Sequence, residues 1–289
     1  MSQILKPQLA KNYWDYEAKF QDSGRKFSVT QKLDGVRCLY DADTEQFYTR
    51  SGKPIEGLDQ VLKDLKSLQI KDVWFDGELL LTPDITQINK EERFDNLSGK
   101  VRRHGPKTGL YYHIFDCYHK QAPEMYYESR REFLARIIRP LSFVKLIPVL
   151  ARTTNWDVID ILNRRAKQQG WEGLMVNLHG AGTEYAVGKR SANLLKVKRW
   201  YDDEFLCIGT TLGEGKHEGR IGALIVEVLW TAPNGLTYKK HVQVGTGLSD
   251  FEREKIDEFY VGEYITVKYF EKTVDGSLRF PVYKGVRCE

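Results

Sequence analysis

One lysine in this chain stands where it can serve as a nucleophile. In the run Thr30-Gln31-Lys32-Leu33-Asp34-Gly35-Val36-Arg37, Lys32 separates a β-rich stretch from a turn-prone Asp-Gly pair. Arg37 follows five residues on. A free lysine amine titrates at about 10.4, so at neutral pH it is protonated and attacks poorly. Neighbouring cations or a bound metal disfavour the charged form and release the amine for covalent catalysis. Lys-x-Asp-Gly alone is weak evidence. Average composition supplies it in on the order of one chain in twenty of this length.

Other polar residues sit where a purely structural strand would not want them. Asp76 and Glu78 interrupt the apolar run 72–81. A buried carboxylate is costly unless paired or bound to a cation. Glu78 therefore reads as the partner of a nearby Lys or Arg, as a strand-end carboxylate in water, or as a cation ligand. Glu172, before Gly173-Leu174-Met175-Val176, has solvent-edge and ligand readings. Lys196 and Lys198 alternate in an apolar strand and share a face. They are a solvated edge or a pair of cations aimed at a polyphosphate. Arg37 and Arg50 are exposed strand charges or phosphate and ribose clamps. Phe115 is a core aromatic or the cover of a purine face.

The usual phosphate and hydrolase signatures are missing. Gly182 to Gly188-Lys189 imitates a Walker loop, but has one residue too many between its glycines and is followed by Arg190. No Rossmann fingerprint and no Gly-x-Ser-x-Gly elbow occurs. The six histidines show no metal-ligand spacing, and the four cysteines form no Cys-x-x-Cys pair. Scattered thiols suit a reducing compartment. No apolar run reaches signal-peptide or membrane-span length, which predicts a cytoplasmic protein. The net charge of +4 permits a phosphate-rich partner without requiring one.

These residues need a frame, and the pattern predicts an α+β chain of two domains. Strands are expected at 26–31, 36–40 and 45–50, then a helix over 56–69. The run 72–81 is a buried strand interrupted by Asp76-Gly77-Glu78. A polar loop with a short helix covers 82–109. A strand at 110–117, a helix over 126–139, a strand at 142–150 and a helix over 157–169 come next. Strands at 173–178 and 194–200 close the first domain, residues 1–200. Beyond Trp200 the texture changes to five short strands, at 204–211, 221–230, 236–244, 263–270 and 279–286. Asn234-Gly235 marks a hairpin, and Ser249-Asp250-Phe251-Glu252 is a capping box. Five strands and one helix match an OB-fold β-barrel over 201–289.

The ordered set Lys32-Leu33-Asp34-Gly35-x-Arg37, Thr49-Arg50-Ser51-Gly52, Phe75-Asp76-Gly77-Glu78, Ile114-Phe115-Asp116, Glu172-Gly173-Leu174-Met175 and Leu195-Lys196-Val197-Lys198 resembles the nucleotidyltransferase motifs of ATP-dependent DNA ligases. The tail from Leu278 to Arg287 is similar to the end of the OB domain in small viral and bacterial ligases. The likeness runs from about Leu5 to the C-terminus. It implies an antiparallel-sheet adenylation domain followed by the OB-fold barrel. It implies a nick-sealing enzyme that uses ATP and Mg²⁺ and holds AMP covalently on Lys32.

By the same resemblance, Thr30 lies near the adenine edge, the Gln31 backbone contacts the base, and Leu33 belongs to the nucleotide site. Arg37 lies near phosphate and Arg50 clamps ribose and phosphate. Phe115 stacks on adenine. Glu78 is the ribose and metal-side carboxylate, Glu172 binds metal, Lys196 and Lys198 contact phosphate, and Arg279 is a candidate for orienting pyrophosphate.

The resemblance also predicts a minimal enzyme. No large N-terminal DNA-binding domain is expected, and nothing after Cys288-Glu289. Only Thr210 to Arg220 joins the first two barrel strands, so no long latch is expected there. Nicked duplex DNA would then be held by basic surface, with Lys100, Arg102, Arg103, Lys107, Arg199, Lys216, Arg220, Lys239 and Lys240 as candidates. A monomer without membrane contact or obligate protein partner is expected. An RNA ligase or GTP-dependent capping enzyme shares the lysine chemistry and is the alternative. A non-catalytic OB module is a third reading, and predicts salt-sensitive binding without a protein adenylate.

Overall fold

The computed structural model describes residues 4–21, 23–85, 94–198, 200–232, 235–270, 272–273 and 275–287. The chain divides into two compact units, Met1–Lys198 and Arg199–Glu289. The first opens with β1 (Leu9–Asn12) and helix α1 (Glu17–Gln21). Then come β2 (Phe27–Lys32), β3 (Val36–Asp41), β4 (Gln46–Thr49), β5 (Pro54–Ile55) and α2 (Asp59–Ser67). Next are strand β6 (Val73–Leu80), α3 (Phe94–Arg102), β7 (Tyr111–His119) and α4 (Tyr127–Ile137). Strands β8 (Val144–Leu146) and β9 (Val149–Thr153), helix α5 (Asp157–Gln168), and strands β10 (Gly173–Leu178) and β11 (Arg190–Lys198) complete the unit.

Two sheets result, ordered β1-β11-β10-β2-β9 and β5-β4-β3-β6-β7-β8. Every pair is antiparallel except β1 with β11 and β7 with β8. Side chains alternate between the two faces of a strand, and in β2 this alternation separates core from site. Phe27 and Val29 enter a core with Trp156, Leu174, Val176, Leu195 and Val197. Each such burial stabilises by about 1.5–3 kcal/mol. Thr30 and Lys32 are thereby turned to the other face.

Two expectations are revised. The segment 142–150 is not one strand. It splits at Ile147-Pro148, so that β8 pairs with β7 and β9 pairs with β2 in the other sheet. Pro148 has no N–H to continue a ladder. The Asp76-Gly77-Glu78 interruption of β6 is also absent. The strand runs through, with a bulge between Asp76 and Gly77 against β7, because Asp76 is paired in the interior.

The second unit holds β12 (Tyr201–Leu212), β13 (Ile221–Thr231), β14 (Thr237–Val244), helix α6 (Asp250–Arg253), β15 (Tyr264–Tyr269) and β16 (Val282–Val286). The antiparallel order is β14-β13-β12-β15-β16. The Tyr283 N–H donates to the Thr246 carbonyl at 2.8 Å, joining the chain just past one edge strand to the other edge. A second core fills the unit, with Leu224, Val226, Val244, Ile265 and Val267 at its centre. The capping box is present: Ser249 Oγ accepts the Glu252 N–H, and the Glu252 carboxylate accepts the Ser249 N–H at 2.7 Å. Buried Arg253 donates to the carbonyls of Ile221, Gly222 and Gly245. Asn234 of the expected hairpin turn lies outside the described residues, but β13 and β14 pair as far as Thr231 opposite Thr237. Residues 213–220 alone join β12 to β13, closed by the Gly213 N–H to the Arg220 carbonyl at 2.9 Å. Among the described residues no helix is long and apolar enough to cross a membrane.

Candidate active site

Within the first unit, a cleft of about 320 Å³ opens between the two sheets. Three strands set its first wall. In register, Lys32 of β2 lies opposite Gly173 of β10, which lies opposite Lys198 of β11. The next row is Thr30, Met175 and Lys196. Strand β2 and the consecutive strands β10 and β11, some 140 residues further on, thus present their polar residues in two neighbouring rows. A Cβ on Gly173, whose φ is +145°, would stand 2.1 Å from the Val197 carbonyl oxygen. Only glycine lets β10 approach β11 closely enough to bring Glu172 beside Lys198.

Glu172 is the centre of this wall. Its side chain is only 5% exposed, and its two oxygens take the ammonium groups of Lys32 and, at 2.8 Å, Lys198. Lys196 is held below the usual lysine range by burial, and next by the cations Lys198, Arg190 and Lys32.

The second wall comes from β3, β6 and β7. Arg37 and Glu78 are register partners across β3 and β6. Arg37 donates Nε and Nη2 to the two oxygens of Asp76, at 2.9 and 2.5 Å. Asp76 is wholly buried. A Cβ on Gly35 would fall 2.5 Å from both Glu78 Cγ and the Leu79 oxygen. The glycine after Asp34 therefore lets the Lys32 turn pack on the strand carrying Glu78. The Arg37 guanidinium lies 5.3 Å from the centre of the Phe115 ring, which also lines the cleft.

The Glu78 carboxylate takes no hydrogen bond among the described residues. Burial pushes its carboxyl up from an ordinary 4.5 to about 8, against the opposing pull of Lys32 and Arg37. Between these values the folded protein binds a proton that the unfolded chain has released. The contribution of Glu78 to the stability of the ligand-free protein therefore falls as pH rises through that window. Glu78→Gln is expected to remove the slope. Without divalent cation it should melt a few degrees above wild type near about pH 9 and level with it near about pH 4. Parallel melting curves of equal slope would contradict the assignment.

Of the residues expected from sequence, Thr30, Gln31, Lys32, Leu33, Arg37, Arg50, Glu78, Phe115, Lys196 and Lys198 all line this cleft, and Glu172 grips two of them. The Gln31 side chain donates to the Ile85 carbonyl at 3.1 Å. Arg279 belongs to the second unit, where its guanidinium lies 5.5 and 5.6 Å from the rings of Phe270 and Phe280. Sequence reasoning missed Gln8, Asn177 and Arg190 in the lining. Gln8 and Arg190 arrive through the pairing of β1 with β11, which has no local sequence signal. Asn177 had one: it extends the period-2 face of Met175.

A family model described as ATP dependent DNA ligase domain matches residues 7–198, and one described as DNA ligase OB-like domain matches residues 212–287. The chain belongs to the ATP-dependent DNA ligase family. The DNA ligase of Nitrosopumilus maritimus is 26% identical over 283 residues, covering 91% of this chain and 47% of the relative. The DNA ligase of African swine fever virus (strain Badajoz 1971 Vero-adapted) is 25% identical over 285 residues, covering 93% and 65%. The chain thus spans about half to two thirds of these curated relatives. A solved structure from work on Lig E DNA ligases aligns over 99% of this chain and 100% of that one. Its TM-score is 0.74 at 24% identity, a likeness of fold. The two-domain ligase fold, an adenylation domain followed by an OB-like domain, accounts for both units.

The basic candidates of this ligase-family chain divide sharply. Arg102 and Arg103 are exposed at the end of α3, with Lys100 half-buried beside them. Lys107 does not join them. It is 6% exposed, and its ammonium donates to the Glu56 and Gly105 carbonyls at 2.5 and 3.3 Å. A lysine buried on backbone carbonyls is a structural tie, and this corrects its place in the basic surface. In the second unit Lys216 is exposed. Arg220, Lys239 and Lys240 pair with Glu254, Glu227 and Asp275 at 2.9, 3.0 and 2.9 Å, so their charge is locally balanced. Arg199 lies outside the described residues.

Proposed function

We propose that the protein seals nicks in duplex DNA with ATP, through AMP held on Lys32. The observation that carries this reading is the convergence of Lys32, Glu172 and Lys198 at one end of a cleft walled by Phe115, Arg37 and Glu78. In the first transfer the Lys32 ammonium releases a proton to water, and the freed amine attacks the α-phosphorus of ATP. A nitrogen–phosphorus bond forms, the bond to the bridging oxygen breaks, and pyrophosphate leaves. In the second, a 5′-phosphate oxygen of the nick attacks the same phosphorus and displaces Lys32. In the third, the 3′-hydroxyl attacks the 5′-phosphate and AMP departs. Negative charge builds on phosphoryl oxygens in all three, and one set of cations can serve them all.

Lys196, Lys198 and Arg37 are the cations at hand. Phe115 offers an aromatic face to the base. Glu172 fixes the Lys32 amine between β2 and β10. Among the described residues no group of three or more His, Cys, Asp or Glu side chains could hold a metal ion. Mg²⁺ suits such a site, because it commonly binds through one or two carboxylates, substrate phosphates and water. Glu78, half-buried in the cleft wall, and Glu172 would hold it. When bound, it supplies neutralisation of phosphate charge.

The mass of the purified protein tests the reaction class. Incubation with ATP should add one AMP, and pyrophosphate should remove it. Addition of GMP from GTP in its place would favour the capping alternative. Duplex holding is assigned to the Lys100, Arg102 and Arg103 cluster with Lys216, since no latch separates β12 from β13. Affinity for a nicked duplex should then fall at least about tenfold between 50 and 200 mM salt. A nearly flat response would contradict that assignment.

A further inference from the structure

We propose that the Tyr185 hydroxyl is a positioning group for Arg37, acting through Asp76; the inference rests on the ligase reading above. Asp76 is a carboxylate with no solvent exposure. Such a group is retained only where donors surround it. Arg37, a residue of the cleft lining, supplies two of them. The third donor is Tyr185, whose hydroxyl reaches Asp76 Oδ2 at 2.5 Å. Oδ2 is therefore shared between Tyr185 and Arg37 Nη2, and the tyrosine sets where that oxygen sits.

The direction of the phenol proton is set by its other neighbour. The Gln8 backbone N–H points at the Tyr185 oxygen at 3.4 Å. That oxygen accepts from Gln8, so its own hydrogen is available to Asp76. The Gln8 side chain secures the same loop, its Oε1 accepting the Ala186 N–H at 3.3 Å. Its Nε2 donates to Asp116 at 2.7 Å, whose oxygens take the buried Arg130 guanidinium at 2.7 and 2.9 Å.

The ring of Tyr185 is held independently of its hydroxyl. It packs with Leu5, Leu39 and Trp74, 5.8 Å from the Tyr118 ring and 5.6 Å from the Arg130 guanidinium. Phenylalanine keeps every one of these contacts and loses only the hydroxyl. A tyrosine needed for packing alone would not require it. The loop between β10 and β11, whose glycines only imitate a phosphate-binding loop, thus reaches Arg37 through Asp76.

The test is a double-mutant cycle on Tyr185→Phe and Arg37→Lys. Single-turnover AMP transfer from α-labelled ATP and sealing of a pre-adenylated nick are measured below the melting midpoint of every variant. Tyr185→Phe should slow at least one step by about tenfold, the effect of losing a hydrogen bond to a charged group, with ATP affinity within about twofold of wild type. In the Arg37→Lys background, where the fork on Asp76 is gone, the further loss should shrink to less than about twofold. Wild-type rates in Tyr185→Phe, or an undiminished loss beside Arg37→Lys, would overturn the inference. A wild-type protein that takes no label would instead sink the ligase reading, so the two failures are distinct.

Discussion

Lys32→Ala is expected to fold normally and take no AMP. The prediction of a folded variant has a structural basis. Glu172 is nearly buried, and removing one partner of a buried ion pair ordinarily leaves an uncompensated charge. Here Glu172 keeps Lys198 at 2.8 Å, so the truncated site retains a counter-charge. Chemistry has no such reserve. The remaining amine on Glu172, that of Lys198, comes from β11 and bonds the other carboxylate oxygen, so it does not replace Lys32, and AMP transfer to the protein should fall by more than about 10³-fold. Lys32→Arg should fail equally, because a guanidinium stays protonated and offers no lone pair. Sealing of a nick that already carries AMP on its 5′-phosphate should survive far better, since that step no longer needs the amine. Intact-protein mass spectrometry measures the first result and gel-resolved ligation the second. Label retained on Lys32→Ala would move the nucleophile elsewhere.

Glu172→Gln carries the second-largest expected effect. The amide keeps the shape but withdraws the charge that two ammonium groups share. Lys32 loses the contact that fixes its amine, and Lys32 and Lys198 are left as repelling neighbours. AMP transfer should fall by about 10²–10³-fold, the range seen when one preorganised charged or hydrogen-bonding group is lost. Stability should drop by roughly 1–3 kcal/mol, less than for a wholly buried pair because both lysines keep some solvent. Single-turnover labelling and denaturant titration read the two effects. A variant within tenfold of wild type in labelling would show that the Lys32 contact is incidental to the chemistry.

Much of this site was legible before any fold was known, through the ordered motifs that resemble those of DNA ligases; read locally, Glu78, Glu172, Lys196 and Lys198 kept a solvated or ion-paired reading beside the functional one. Lys32, Arg37, Glu78, Glu172, Lys196 and Lys198 break the apolar pattern of strands, and a buried charge has to be accounted for. Other features were hidden. Lys107 reads like its basic neighbours, yet it is sealed against two carbonyls. Arg37 looks like a bare cation, yet Asp76 holds both ends of its fork. Gln8 and Tyr185 carry no marker at all, because their partners lie 108 and 109 residues away.

The pattern of one lysine before an Asp-Gly pair thus changes meaning between the two levels. Sequence by itself determined the α+β class, the change of texture after Trp200, and the residue types and order of the cleft. Those depend on side-chain alternation and turn chemistry, which act over a few residues. The tertiary structure decided which charges meet. Register across β2, β10 and β11 joined Lys32 to Glu172 and Lys198, and close approach at Gly35 and Gly173 made the walls fit. Pairing between distant strands is set by the packing of two whole sheets, so no single segment encodes it.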